Sequence, residues 1–261
     1  MKHRRTIFTV ISIILWLGIW IAAARLTGRE IFFPSPGAVL TALGGLLRTG
    51  DFYSCILVSL SGIALGFAIG FAAGIILSAL AFRFAFMESF IGIPVRVIKA
   101  VPVASFVILA LLWLSSERLS VLISAMMVMP VIYTGTLSAL KSTDAGMLEF
   151  ARVFRLGVLK RIRYIYIPAA IGPLISSASV AVGFAWKSGI AAEIIGLIRG
   201  SVGNELYKAK LYLETPQLFA WTVTIVIVSV LCEKALTLLL SLAGRALGGI
   251  KGGIKSAGNK N

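Results

Sequence analysis

A chain of 261 residues that is 59% hydrophobic and 13% charged, with a mean hydropathy of +0.98, lies far from the roughly 25% charge of an ordinary soluble domain and belongs in a bilayer. Its net charge of +15 would point to nucleic acid in a soluble protein; here the 25 Lys and Arg are read against membrane topology first, and nucleic acid is not among the expected partners. The single histidine, His3, rules out Ser-His-Asp and HExxH chemistry, and no GxSxG occurs.

Apolar runs long enough to span, roughly 20 residues at 1.5 Å rise each, occur at about 6–26, 54–81, 88–114, 119–139, 169–198 and 217–243. They predict an all-α membrane protein of six transmembrane helices. The first run follows a basic start and could be read as a signal peptide, but it exceeds the usual 7–15 apolar residues of one and reads as an uncleaved span. Next, "REIFFPSPGAVLTALGGLLRTGDFY" offers a Pro-Ser-Pro turn and a short amphipathic stretch. The second span places Gly62, Gly66, Gly70 and Gly74 one helical turn apart, a smooth stripe on which another helix can approach closely.

In the third span Pro94 and Pro102 bracket Arg96 and Lys99, so this helix is expected to be broken, tilted or partly re-entrant. Lys99 either faces a cavity or another subunit or snorkels to the inner surface. In the fifth span, "AVGFAWKSGIAAEIIG" carries Trp186, Lys187 and Glu193. Lys187 and Glu193 are spaced to lie on different helix faces; Trp186 and Lys187 act as interfacial anchors, or Trp186, Lys187 and Glu193 line an outward-facing passage, with Lys99 and Pro102 also assigned to the path. The segment before the sixth span allows Glu205–Lys208 and Lys210–Glu214 pairs, and Pro216 opens that span. Cys55 and Cys232 fall in apolar runs and read as small packing residues, with neither a disulfide framework nor a metal-ligand spacing.

With the N-terminus inside, the cytoplasmic segments hold fourteen Lys and Arg against seven outside, so both termini are expected in the cytoplasm. The stretch "LEFARVFRLGVLKRIRYIYIP" is then cytoplasmic, yet apolar residues alternate with its basic ones at spacings of three and four. Asp144 can cap a helix there, Gly157 can stop it, and Pro168 can open the next span. Such an apolar face must pack on the bilayer surface, on its own protein or into a partner's groove. The chain has no Gly-Lys dipeptide and hence no P-loop, so ATP energy would have to come from another polypeptide.

"EFARVFRLGVLKRIRYIYIP" resembles the cytoplasmic coupling motif of binding-protein-dependent ABC importer permeases: Glu-Ala-Ala, a Gly four positions after the second Ala, and a Leu-Pro about thirteen residues beyond. Counted back from Pro168, Glu149 and Ala151 match, Phe150 stands at the first Ala, Arg155 at the Gly, and Gly157 lies two residues late. "FFPSPGAVLTAL", "IKAVPVASFVILALLWL", "FAWKSGIAAEIIG" and "LYKAKLYLETPQLFAW" look like the nitrate/sulfonate/taurine branch, so the similarity spans about residues 32–242.

The resemblance implies a type I ABC importer permease fold in the cell inner membrane. Its expected organisation is a first transmembrane helix and external loop (1–54), an ABC transmembrane type-1 permease domain (55–243) with coupling helices at about 142–168, and a cytoplasmic tail (244–261) expected to be disordered. It implies a transport subunit and not an enzyme, with no cofactor bound by this chain. ATP and Mg would sit on two cytoplasmic ATPase partners, beside a second permease copy and an extracytoplasmic solute-binding protein. Glu149, Phe150, Ala151, Phe154, Arg155, Gly157 and Pro168 would form the ATPase-coupling knob. The implied cargo is a small sulfonate-, nitrate- or taurine-like anion, with another small organic solute such as a vitamin precursor as the alternative. An ion-driven secondary transporter is the rival of a different class, although such folds usually carry internal repeats and none is found here. A membrane enzyme, lacking catalytic sets, stands third.

Overall fold

The computed structural model describes residues 2–29 and 31–248, with side chains described from Thr6 to Leu242 apart from position 30. The helices are α1 (Lys2–Thr27), α2 (Pro36–Leu46), α3 (Gly50–Arg83), α4 (Ala85–Ala100), α5 (Val103–Ala110), α6 (Leu119–Lys141), α7 (Ala145–Val153), α8 (Val158–Arg161), α9 (Ile167–Gly196), α10 (Val202–Leu211) and α11 (Thr215–Gly248). No strand occurs among the described residues. The tail expected from Gly244 begins inside α11, and its remainder lies outside the described residues.

Five helical runs, Thr6–Thr27, Gly50–Arg83, Ser116–Lys141, Val158–Gly196 and Thr215–Leu242, are long and apolar enough to cross a membrane. A sixth crossing is broken: α4 and α5 meet at 103°. Pro102 causes the break, since it has no N–H to continue the α4 ladder and forces Val101 into extended backbone (φ −86°, ψ 135°).

The chain forms two compact units, one made of the residues up to Leu60 with Leu197–Val228, the other of Ser61–Gly196 with the chain from Ser229 on. In the second unit α3, α6 and α9 make the core. A Cβ placed on Gly62 would lie 2.5 Å from Ser120 Oγ; on Gly70, 2.5 Å from the Ala125 carbonyl oxygen; on Gly74, 2.7 Å from Ile132 Cβ; and on Gly66 it would press on the Val121 carbonyl. These successive contacts advance together, so α3 and α6 run parallel. Helix α9 runs antiparallel to both: Gly189 meets Ile63 and Ser124, Gly135 meets Ser177, and Ser124 Oγ donates to the Ala185 carbonyl at 3.1 Å. Parallel α3 and α6 require the chain between them to recross the membrane, and the bent α4–α5 pair is that crossing. Ile91 and Val95 of α4 pack with Ala81, Tyr133 and Leu137, and Glu88 pairs with Lys141 at 2.5 Å beside them.

The first unit is held by aromatic and polar contacts. Phe219 of α11 meets Trp20 at 6.1 Å and Phe33 at 5.8 Å, Trp20 Nε1 donates to the Pro34 carbonyl at 3.0 Å, and Phe52 packs on Trp221 at 5.2 Å. Ser35 caps α2 through Ala38 N and Ser201 caps α10 through Asn204 N, each at 3.2 Å, while Ser59 Oγ accepts from Val202 N at 2.9 Å. On α10 Glu205 pairs with Lys208 at 2.6 Å, and this bond holds the Lys208 amine above its ordinary range. No ion pair joins Lys210 and Glu214 among the described residues, because α10 ends at Leu211 and Leu213 turns left-handed (φ 59°) between them.

Gly70→Ala forces a methyl against the α6 backbone, so purified Gly70→Ala should lose about 1–3 kcal/mol of stability in detergent denaturation. Gly45→Ala on α2, where a Cβ would meet nothing within 4 Å, should leave stability unchanged or raise it by up to about 1 kcal/mol.

Candidate functional site

Asp144 opens α7 as an N-cap whose carboxylate accepts from Met147 N at 2.9 Å. Of this nine-residue helix only Ala151 is buried (0% exposed); Glu149 and Arg152 are exposed, Val153 is 77% exposed, and the Phe150 and Phe154 rings pack on each other at 4.3 Å on the open side. Beyond the turn Val158 and Leu159 are exposed, the latter at 83%. The segment thus projects a large apolar surface rimmed by Arg152, Arg155, Lys160 and Arg163.

The turn between α7 and α8 departs from the sequence expectation. Gly157 does not stop α7. The helix closes at Phe154, with Arg155 in the left-handed region (φ 47°): Arg155 N donates to the Arg152 carbonyl at 3.0 Å and Leu156 N to the Ala151 carbonyl at 2.9 Å. This pair of bonds is the Schellman closure, which usually places glycine where Arg155 stands. Gly157 instead precedes α8 in extended backbone (φ −63°, ψ 159°), which any residue can adopt, and a Cβ there would meet nothing within 4 Å. Counting back from Pro168 already put Arg155 at the motif's glycine position; the residue type alone drew attention to Gly157. Arg161 Nε donates to the Leu156 carbonyl at 2.8 Å and ties α8 back to the turn.

Pro168 does not open a separate helix either. Helix α8 continues through a π-turn, Ile162–Tyr166, into α9, giving one helical run from Val158 to Gly196. Ile167 N reaches back to the Ile162 carbonyl, one residue further than in an α-helix. The next residue, Pro168, has no N–H, so the return to the ordinary ladder falls where no donor is lost. Tyr166 meets Phe82 of α3 edge-on at 5.3 Å and Ile165 is buried, fixing the base of the arm to the bundle.

The residues expected on a passage do not gather at one place. Lys99 is exposed at the end of α4 and Pro102 forms the break after it. On α9, Lys187 is exposed, whereas Trp186 and Glu193 are 2% and 1% exposed and lie on the buried side with Gly189. Gly62, Gly66, Gly70 and Gly74 all face α6. Sequence reading passed over Glu233, which is exposed within the last span and accepts a hydrogen bond from Ser179 of α9 at 2.9 Å.

Five apolar spanning helices and a bent sixth make this a multi-pass membrane protein. Residues 62–248 match the family described as binding-protein-dependent transport system inner membrane component, and the chain belongs to that family: it is the permease subunit of an ABC importer, an inner-membrane protein. Among its curated relatives are the putative aliphatic sulfonates transport permease protein SsuC of Bacillus subtilis, 25% identical over 79% of this chain and 75% of that one, and its namesake in Escherichia coli, 26% identical over 70% and 69%. The riboflavin transport system permease protein RibX of Chloroflexus aurantiacus is 26% identical over 84% and 82%. The fold is shared with a bacterial alginate ABC transporter solved in complex with a periplasmic protein (TM-score 0.59, 15% identity, 97% of this chain and 98% of that one) and an amino acid ABC transporter (TM-score 0.56, 19% identity, 78% and 98%).

A left-handed arginine costs roughly 1–2 kcal/mol relative to a residue at ease there. Arg155→Gly should therefore stabilise the closure by about 1 kcal/mol, read as roughly five-fold slower chymotrypsin cleavage at Phe150 and Phe154 if cleavage follows local opening. Gly157→Ala should leave the cleavage rate as it is.

Proposed function

We propose that this permease carries a small sulfonate-type organic anion inward and is driven by a cytoplasmic ATPase that grips the α7–α8 arm. The single observation that carries the coupling role is the arm itself: exposed Phe150, Val153, Phe154, Val158 and Leu159 project from a turn closed by backbone bonds. A surface of that kind outside the bilayer fits a groove on a partner, with Glu149 positioning it by a polar contact. ATP and Mg bind the partner, since this chain has no P-loop. Two ATPase subunits closing and opening would move two arms, so the working unit is a pair of permeases, read here as a homodimer, with both termini and the arm in the cytoplasm. Motion passes along the continuous run from α8 into α9 as alternating access. The arm transmits only what the two ATPase states hold differently.

The cargo reading rests on the two sulfonate permeases among the relatives and on exposed Lys187; a solute-binding protein outside the cell delivers it. The riboflavin system's permease, at similar identity, favours a second reading in which the cargo is a larger organic solute.

Tagged, detergent-solubilised protein from its native cells should bring down a P-loop ATPase identified by mass spectrometry, and Glu149→Arg should lose it. A wild type that brings down no ATPase in several mild detergents contradicts the coupling role. Lys187→Ala should slow uptake of an aliphatic sulfonate without changing ATPase recovery; unchanged uptake across substrate concentrations removes Lys187 from the path.

A further inference from the structure

The exposed residues of α9 inside its span, Gly172, Pro173, Ser176, Val180, Phe184 and Lys187, recur every three or four positions and form one stripe. Ala178, Ala181, Ala185 and Trp186 lie on the buried side. At the edge of the exposed stripe, Ser179 Oγ donates to Glu233 Oε1 at 2.9 Å. Glu233 belongs to α11, where Ser229 and Thr237 stand one turn before and after it on the same side. It lies roughly 27 Å along the helix from Thr215, at 1.5 Å per residue, and the span continues past it to Leu242. An exposed carboxylate at that depth is strongly disfavoured against hydrocarbon, and one serine hydroxyl does not neutralise it. Neither the Glu88–Lys141 nor the Glu205–Lys208 ion pair involves it, and among the described residues no ion pair joins Glu233 to a cation. Lys187 stands on the same face of α9, roughly 12 Å along the axis from Ser179. An exposed carboxylate within a span, bonded to Ser179 and sharing the open side of α9 with exposed Lys187, marks a surface that meets water and not lipid.

We propose that the aqueous passage of this permease runs past the exposed face of α9 where Ser179 meets the part of α11 from Ser229 on, and that Glu233, held by Ser179, is a wall residue that makes this level of the passage favour positive charge. A solute that passes Lys187 through its anionic group then meets a carboxylate, so the passage selects anions that also carry a hydrogen-bond donor or cationic group. This rests on the permease reading above and deepens it.

The test is cysteine accessibility of the full chain in membrane vesicles from its native cells, in a Cys55→Ala, Cys232→Ala background, using membrane-impermeant cationic and anionic methanethiosulfonates. Glu233→Cys and Ser176→Cys should react about ten-fold or more faster than Leu238→Cys, an exposed apolar position on α11, because a thiol in hydrocarbon does not ionise. Ser176→Cys should also react several-fold faster with the cationic than with the anionic reagent, and Glu233→Gln should abolish that preference. If Glu233→Cys is as slow as Leu238→Cys while Lys187→Cys reacts, the passage avoids Glu233 and the proposal fails. Uniformly slow reaction overturns it as well, since that face is then dry. A sign preference that persists in Glu233→Gln removes the selective role. None of these outcomes touches recovery of the ATPase, which judges the reading on which the proposal rests.

Discussion

Everything in the second unit depends on how closely α3 can approach α6. At Gly66 and Gly70 the neighbouring backbone carbonyls of α6 occupy space that a single methyl would need. In a bilayer there is no water to expel between helices, so association relies on close van der Waals packing, and hydrogen in place of a side chain is what permits it. The same contact fixes direction. Because the glycines meet α6 residues in ascending order, the two helices run parallel, the α4–α5 segment must cross between them, and α9 fits antiparallel with Gly189 against Ile63 and Ser124. A rigid three-helix frame follows, on which both the arm and the exposed face of α9 are carried.

The arm gains its usefulness from being stiff where helix ends are usually loose. Its closure leaves the Ala151 and Arg152 carbonyls satisfied, Arg161 ties the far side of the turn to Leu156, and the π-turn delivers α8 into α9 without a break. A lever of this kind fits a partner that pushes, as the proposed coupling to an ATPase requires. Holding Arg155 at φ 47° costs stability that glycine would not. The same backbone solution, with Leu213 in the left-handed position, ends α10, so this chain closes helices that way without glycine more than once.

Much of this was legible in the sequence because it follows from local rules. Apolar run length located the crossings to within a few residues except at the start of the fifth, whose helical run begins at Val158; Pro102 announced the break in the third, while Pro94 stays inside α4, and Asp144 was recognisable as a cap. Four-residue glycine spacing identified a smooth helix face. The misplaced features depend on context that residue type does not carry. Gly157 looks like a stop signal, but the stop is set by which backbone carbonyls the turn can reach, and those belong to Ala151 and Arg152. Pro168 reads as a helix start until the π-turn preceding it is seen. Glu233 sits in a polar pair with Lys234 inside the last apolar run; only its bond to Ser179, 54 positions away, sets it apart. Trp186 and Lys187 are neighbours in sequence, yet one is buried and the other exposed, because a single residue step turns the helix by about 100°.

The central claim, that a nucleotide-driven partner works this permease through the arm, is tested most directly by a photo-crosslinking side chain at Val153, 77% exposed on α7, in native membranes. The account predicts an adduct with a polypeptide that carries a P-loop, with a yield that differs between ATP and ADP because the two states hold the arm differently. An adduct formed only with lipid or with this chain, or an ATPase adduct whose yield is the same in every nucleotide state, would contradict it.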